Sequence, residues 1–518
     1  MDKTPNAAPL MSPATQANRG PITLGVMVVT VLSAVDSTIV NISLPHIQGS
    51  LLASPEQITW VLTSYILGLV VMTPVTGWLS GRLGMKRMLL FTVTGFTVVS
   101  LLCGMATNLP EMVLLRVLHG MLGAPIMPLA QTVLLNINPP HRHTRAMGLF
   151  MLAGMASPVV GPVLGGFLTE ALSWRWCFYI NAPLGVISLL LLWIFLPDET
   201  PSQRRFDFLG FISLGLGIAG IQLMLDRGPS RDWFSSPEIV AEAVVAACSL
   251  WIFLVHSMTT KHTLFDMKIL KDRNFVATTI LGFFFMILTY ANMAMLPLMM
   301  QISLGYPVMH AGIISMPRGL IILVTVVVVA RLPPRLDQRI LIGLGVVLLT
   351  IGYGQMGSFD LNMPEKDILI ATLIAGVGQG LCFLPAGVLA FTTLDPKLRA
   401  DASGVASLIR FLGASMGISV MQANLSYNTQ SMHSALSEHI SADNLVARAA
   451  LPPHMSPAAV QGAMALNEEI TRQATMVAFL DNFRLMTMIA IACLPLLLLL
   501  RQSRARRATA SSAEVHVA

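Results

Sequence analysis

The chain has 518 residues, 54% of them hydrophobic and only 11% charged, against roughly 25% charged in an ordinary soluble domain. A mean hydropathy of +0.71 sustained over this length requires an apolar outer surface, which excludes a water-soluble enzyme and makes the bilayer the natural solvent. The formal charge of +6 would suggest nucleic acid in a soluble protein, but in a membrane chain basic residues mainly set orientation.

The apolar stretches are continuous rather than alternating, which argues against a transmembrane β-barrel and for an all-α polytopic bundle. Residues 1–19 are polar, rich in Pro and Ala, and lack the core and cleavage site of a signal peptide, so they read as a disordered cytoplasmic tail. Apolar blocks follow at about 22–44, 57–79, 88–107, 111–135, 146–170, 177–196, 207–226, 236–257, 275–299, 309–331, 340–358, 367–393, 403–424 and 476–500. These predict 14 transmembrane helices.

The first block contains Asp36 in Val35-Asp-Ser-Thr-Ile-Val-Asn41-Ile-Ser-Leu-Pro45. An ionised carboxylate is costly there unless it faces the bundle interior or water. Burial favours the neutral acid and a nearby cation favours the anion, so this group can change protonation with its surroundings, as proton coupling requires. The competing reading is a structural carboxylate satisfied by Ser37, Thr38 or Asn41. Glu242 and Asp481 sit only about one turn inside their helices and are weaker candidates.

Between the second and third blocks, Gly77-Trp-Leu-Ser-Gly81-Arg82-Leu-Gly84-Met-Lys86-Arg87 combines turn-forming glycines with three cations. A plain basic loop would not need that glycine spacing. In the fourth block Arg116 lies roughly 8 Å from the outer end and Asp36 roughly 12 Å from the outer end of its own helix, at 1.5 Å per residue. A direct or water-bridged pair between them is geometrically open. His119 shares the helical face of Arg116 and reads first as a hydrogen-bonded core histidine, second as a proton relay.

The fifth block, Gly154-Met-Ala-Ser-Pro158-Val-Val-Gly161-Pro162-Val-Leu-Gly165-Gly166, offers a smooth face for close helix approach and two prolines that weaken the backbone ladder. A bending gate and plain tight packing are both compatible with it. The 33 methionines suit an adaptable apolar cavity and equally an ordinary membrane core. The five cysteines are scattered singly, suggesting neither disulfide nor metal.

Lys and Arg alternate as the fourteen-helix count requires: 22 fall on the side of the N-terminus, 6 on the other, and Arg116, Arg318, Arg410 and Arg484 inside spans. Both termini are therefore expected in the cytoplasm. Residues 425–475, between the last two helices, form a polar outer segment too long for a connector, with enough regularity for short helices.

The chain also repeats. Pro140-His-Arg-His-Thr-Arg145-Ala-Met-Gly148 before the fifth block resembles Pro396-Lys-Leu-Arg399-Ala-Asp-Ala-Ser-Gly404 before the thirteenth, and the Gly-rich face at Arg116–Gly123 has a counterpart at Gly376–Gly380. The expected organisation is a six-helix bundle at 20–200, two inserted helices at 201–273, a second six-helix bundle at 274–500 and a basic cytoplasmic tail at 501–518. Two related bundles around one path is transporter architecture.

Taken together, these segments resemble the major facilitator superfamily, specifically its fourteen-helix drug:proton antiporter group of the EmrB/QacA type, over about residues 22–500. Asp36, Thr38, Asn41 and Pro45 match its first-helix motif; Gly77, Arg82, Gly84 and Arg87 its loop motif; Arg116 to Gly123 its fourth-helix motif. Gly154, Pro158, Gly161, Pro162, Gly165 and Gly166 match its antiporter motif, and Trp174–Pro183, Leu225–Phe234 and Met316–Gly319 add further agreement. Gly81 stands where the loop motif has Asp, and His119 where Gln is usual.

The resemblance implies an inner-membrane exporter of apolar or amphipathic compounds, cationic ones included, driven by proton entry through alternating access. Asp36 and Arg116 would couple transport to protons. No cofactor is expected beyond the proton gradient, since the chain has no G-x-x-x-x-G-K-[ST] loop for ATP. The long outer segment implies a periplasmic adaptor and an outer-membrane channel as partners. The alternatives are an exporter of one metabolite, such as a siderophore or amino acid, and, more remotely, a membrane enzyme or scaffold. For an enzyme, H-E-x-x-H is absent and His141-x-His143 lacks carboxylate company.

Overall fold

The computed structural model describes residues 18–500 apart from 54, 59, 140–141, 156, 199–205, 232, 261–262, 333–335, 439–451 and 453–459. Thirteen helices among them are long and apolar enough to span a bilayer: α1 Arg19–Ser50, α2 Trp60–Leu83, α3 Met85–Met105, α4 Leu109–Ile137, α6 Trp176–Phe195, α7 Phe208–Arg227, α8 Pro237–Thr259, α9 Arg273–Ile302, α10 Val308–Arg331, α11 Gln338–Met356, α12 Glu365–Thr392, α13 Arg399–Glu438 and α14 Val460–Ala492. The remaining apolar block is occupied by α5, in two consecutive pieces, His143–Met155 and Ser157–Ala171. Fourteen spans result. Of the tails expected at 1–19 and 501–518, residues 1–17 and 501–518 lie outside the described residues, while Arg19 already belongs to α1, so the first helix begins before the expected end of the tail.

The outer surface is the inverse of a soluble protein's. Trp193, Phe167 and Trp251 each expose about two thirds of their area (66%, 65% and 67%), as expected where hydrocarbon is the solvent.

The sequence repeat is a repeat of packing. In the first half α1 packs on α5 and α6, α2 on α4, and α3 on α4 and α6. Eight helices later α9 packs on α13 and α14, α10 on α12, and α11 on α12 and α14. The halves meet reciprocally, α2 and α4 against α13, and α10 and α12 against α5. The inserted α7 and α8 pair with each other, and α7 lies against α2 and α13, where Gln222 donates to Ser415 Oγ at 2.6 Å.

The outer segment differs from the expectation of short separate helices. α13 runs 40 residues and α14 33, about 60 and 50 Å at 1.5 Å per residue, against a hydrocarbon core of about 30 Å. Both spanning helices continue past the membrane on the side opposite the N-terminus. The stretch 465–479 belongs to α14 throughout, while 439–451 lies outside the described residues. Continuity is the physical reason: neither Gly nor Pro interrupts 418–438 or 463–493, so the helical ladder need not stop at the interface. The two projections are tied by His433 to Asn467 at 3.0 Å, and Arg472 reaches the Ser303 carbonyl at 3.3 Å.

Candidate functional site

The site begins with two glycines. A Cβ on Gly120 of α4 would lie 2.0 Å from the Tyr65 carbonyl oxygen of α2, and one on Gly68 would lie 2.2 Å from that of Val117. With no side chain on either, the backbones of α2 and α4 meet directly. Arg116, one turn before Gly120, thereby donates its Nε–H to the Val61 carbonyl at 3.0 Å and lays its guanidinium 4.1 Å from the centre of the Tyr65 ring.

The structure brings Asp36 to this arginine. Arg116 Nη1 lies 3.3 Å from Asp36 Oδ2, and Asn181 of α6 donates to Asp36 Oδ1 at 2.7 Å. Asn181 is itself fixed by Ser100 of α3, at 2.9 Å, which donates on to the Phe178 carbonyl. Asp36, His119 and Arg116 are 0%, 0% and 1% exposed. The ion pair is shut away from both water and lipid, so each charge depends on the other.

His119 is held in the same cluster. Its Nδ1 accepts from Arg116 Nη1 at 3.0 Å, and its ring stacks 4.0 Å from Phe96 and 5.6 Å from Tyr65. An Nδ1 that accepts leaves the proton on Nε2, and that atom is buried without a hydrogen-bond partner. His119 Nδ1 also lies 3.6 Å from Asp36 Oδ2, so the ring touches both members of the ion pair.

The α5 motif lies beside this site. A Cβ on Gly161 would meet Thr38 Oγ1 at 2.0 Å, and one on Gly165 the Ile39 carbonyl oxygen at 2.7 Å, two and three residues from Asp36. Gly154 has nothing within 4 Å of that position. Gly165→Val is expected to force α1 from α5, lowering the thermal unfolding midpoint by an overpacking cost of about 1–3 kcal/mol and transport at least tenfold. Gly154→Ala should leave stability at or above wild type, since helical Ala is favoured over Gly by about 1 kcal/mol. The same melting curve in all three proteins would contradict this packing. The side chains of Asn41, Pro45, Pro158 and Pro162 lie outside the description.

The loop motif sits apart from the ion pair, at the terminus side of the boundary between halves. Gly84, with φ +85°, turns the chain between α2 and α3 in a conformation that favours glycine. Arg82 lies over Trp78, Lys86 faces Asp198 at 3.9 Å, and Arg87 is exposed. Gly81 brings no charge to the contact. Instead Asp401, in the first turn of α13, presses its carboxylate onto Gly77, where a Cβ would lie 2.1 Å from Oδ1, and accepts from the Asp266 amide at 3.1 Å. Beside it Ser403 donates to Gln131 Oε1 at 2.9 Å and Arg399 to Asn136 Oδ1 at 3.2 Å. The halves are bonded here.

The weaker carboxylates each have a cation beside them: Glu242 pairs with Arg227 at 2.7 Å and Asp481 with Arg484 at 3.0 Å. His143 Nε2 lies 3.1 Å from the Leu135 and Asn138 carbonyls, while His141 is outside the described residues. Among the described residues no group of three or more His, Cys, Asp or Glu could hold a metal. Sequence reasoning missed Asn181, Ser100 and Tyr65. Asn181 stood within a quoted motif, and an amide in an apolar block followed by Ala-Pro was a signal that could have marked it.

The model of the Major Facilitator Superfamily matches residues 26–418. The chain is 31% identical over 431 residues to "Multidrug export protein EmrB" of Haemophilus influenzae, covering 82% of this chain and 84% of that one. It is 32% identical to the protein of the same name from Escherichia coli, covering 83% and 84%. Among solved structures, the proton:xylose symporter XylE aligns with a TM-score of 0.57 at 14% identity, over 92% of this chain and 96% of that one, a likeness of fold.

Proposed function

The chain belongs to the major facilitator superfamily, among its EmrB-type multidrug export proteins, and on that premise we propose that proton entry through Asp36 drives its export cycle. It is a multi-pass membrane transporter and not an enzyme. Its substrates are small molecules. The reading places it in a bacterial inner membrane with both termini in the cytoplasm, so that the bonded face between α13, α2 and α4 closes the cytoplasmic side.

The observation that carries the coupling is the ion pair of Asp36 with Arg116, 3.3 Å apart and removed from solvent. In this conformation the carboxylate is sealed, so proton exchange belongs to another one. A proton on Asp36 cancels its charge and leaves Arg116 a buried cation without a counter-ion, which is expensive. The halves then rearrange to a state in which that cost is relieved, and loss of the proton to the other side restores the pair. The gain available is about 1.4 kcal/mol per unit of pH difference and about 2.3 kcal/mol per 100 mV.

The projecting ends of α13 and α14 suit a periplasmic adaptor leading to an outer-membrane channel. They carry exposed apolar side chains outside the membrane, Tyr427, Val460 and Met464. Export measured in cells should stop when an ionophore collapses the proton gradient and persist when ATP is depleted with the gradient maintained. Export that outlasts the gradient would refute proton drive.

A further inference from the structure

Asp36 and Arg116 do not meet as an isolated pair. Arg116 Nη1 lies 3.3 Å from Asp36 Oδ2 and 3.0 Å from His119 Nδ1, and that ring nitrogen is 3.6 Å from the same Asp36 oxygen. One guanidinium nitrogen thus serves two acceptors, a carboxylate and an imidazole, and the shorter contact is to the imidazole. The coupling cycle uses the first acceptor and gives the second no part.

The imidazole is clamped in place. The rings of Phe96 on α3 and Tyr65 on α2 lie 4.0 and 5.6 Å from it. One turn further along α4, a Cβ on Gly123 would meet the Phe96 ring at 3.0 Å and Tyr65 Oη at 3.4 Å, so both rings close tightly over the helix. An acceptor held by packing needs no further ordering at the moment it is used. His119 and Arg116 stand three residues apart on one helix face, and α1, α2, α3 and α6, which complete the cluster, belong to the same half. Motion of one half against the other carries the cluster as a body.

The same contacts argue against a proton relay through the ring. Nδ1, the nitrogen near Asp36, already accepts from Arg116, and Nε2 is buried with no partner to receive a proton. No other charge competes at the site. Tyr65 and Cys103 of α3 interact electrostatically with Asp36 and Arg116, and Tyr290 of α9 with Tyr65, but phenols and thiols ordinarily keep their protons at pH 7. From α6 comes the neutral amide of Asn181.

We propose that His119 is a positioning residue for proton coupling: its Nδ1 keeps hold of Arg116 when Asp36 is protonated, and so makes that protonation less costly. This rests on the proton-drive reading. Two effects act in the same sense. A protonated Asp36 leaves Arg116 a lone buried cation, and a second acceptor already in place compensates part of that loss. While Asp36 is ionised, the Nδ1 lone pair stands 3.6 Å from a negative oxygen and disfavours the charged form. Removing Nδ1 therefore favours the carboxylate, and Asp36 should then take up its proton only at lower pH.

The protonation of Asp36 is read without any substrate from the carbonyl stretch of its carboxyl group, in infrared spectra of the full protein in phosphatidylcholine nanodiscs taken from acid to alkaline pH, with Asp36→Asn as the blank. His119→Phe keeps a ring between Phe96 and Tyr65 but removes the acceptor. Its Asp36 should bind protons about tenfold more weakly than in the wild type, a shift of about one pH unit to acid. His119→Asn, whose amide oxygen can stand in for Nδ1, should stay within about threefold of the wild type.

A wild-type titration in His119→Phe would overturn the proposal, and if both variants also exchanged protons more slowly it would assign His119 to a relay instead. An equal acid shift in both variants would overturn it too, since the acceptor would then not matter. So would the reverse pattern, with His119→Phe matching the wild type and His119→Asn departing from it, which makes the ring a packing element. If no Asp36 band appears in the wild type at any pH, proton drive itself fails and takes this role with it, a result distinct from those above.

Discussion

Arg116→Ala is expected to be among the most damaging single substitutions in the N-terminal half, lowering stability by about 3–5 kcal/mol and abolishing gradient-driven transport. It strands the Asp36 carboxylate at 0% exposure with Asn181 as its remaining hydrogen-bond donor. It also removes the bond to the Val61 carbonyl and the cation above Tyr65. Removing both charges together should be gentler on the fold. The double variant with Asp36→Asn is expected to recover more than half of the lost stability, because the uncompensated charge is gone, while transport stays lost. Unfolding midpoints of the wild type, both single variants and the double variant close the cycle. An Arg116→Ala protein that melts with the wild type would mean that the pair carries no structural weight.

Gly120→Val attacks the same cluster through the backbone. A branched side chain would have to occupy space 2.0 Å from the Tyr65 carbonyl oxygen, which belongs to a helix and cannot rotate away. The contact between α2 and α4 must open, and with it the reach of Arg116 to Val61 and Asp36. Overpacking costs about 1–3 kcal/mol, to which any loss from the ion pair adds. Transport is expected to fall at least a hundredfold, measured as initial rate in proteoliposomes of equal protein content. Retained transport in Gly120→Val would show that α2 and α4 need not touch for coupling.

Much of this arrangement was legible in the sequence because the bilayer is a severe solvent. Continuous apolar runs and alternating basic loops fix spans, and an acid or arginine within a span must find a partner or water. Asp36 and Arg116 could therefore be singled out, and their similar depth followed from counting residues at a known rise. Their neighbours could not. That Asn181 closes on Asp36, or that Tyr65 lies beneath Arg116, depends on the rotation of α6 and α2 about their axes, which composition does not encode.

The bonded face between halves was hidden for a related reason. Gly81 lacks the carboxylate usual in the loop motif, while the carboxylate that meets that motif, Asp401, comes from more than 300 residues away in the repeated half. The outer extension of α13 and α14 was obscured differently. Polar helix beyond a membrane surface and polar loop have the same composition, and only helical continuity separates them.

The central claim is that a proton on Asp36 is exchanged for substrate. The direct test is to load proteoliposomes with a pH-sensitive dye, impose a substrate gradient without a pH gradient, and follow proton movement for wild type and Asp36→Asn with substrate flux measured in parallel. Opposed proton movement in the wild type, absent in Asp36→Asn even where that variant still lets substrate equilibrate, is the predicted result. Proton movement in Asp36→Asn equal to that of the wild type would contradict the account.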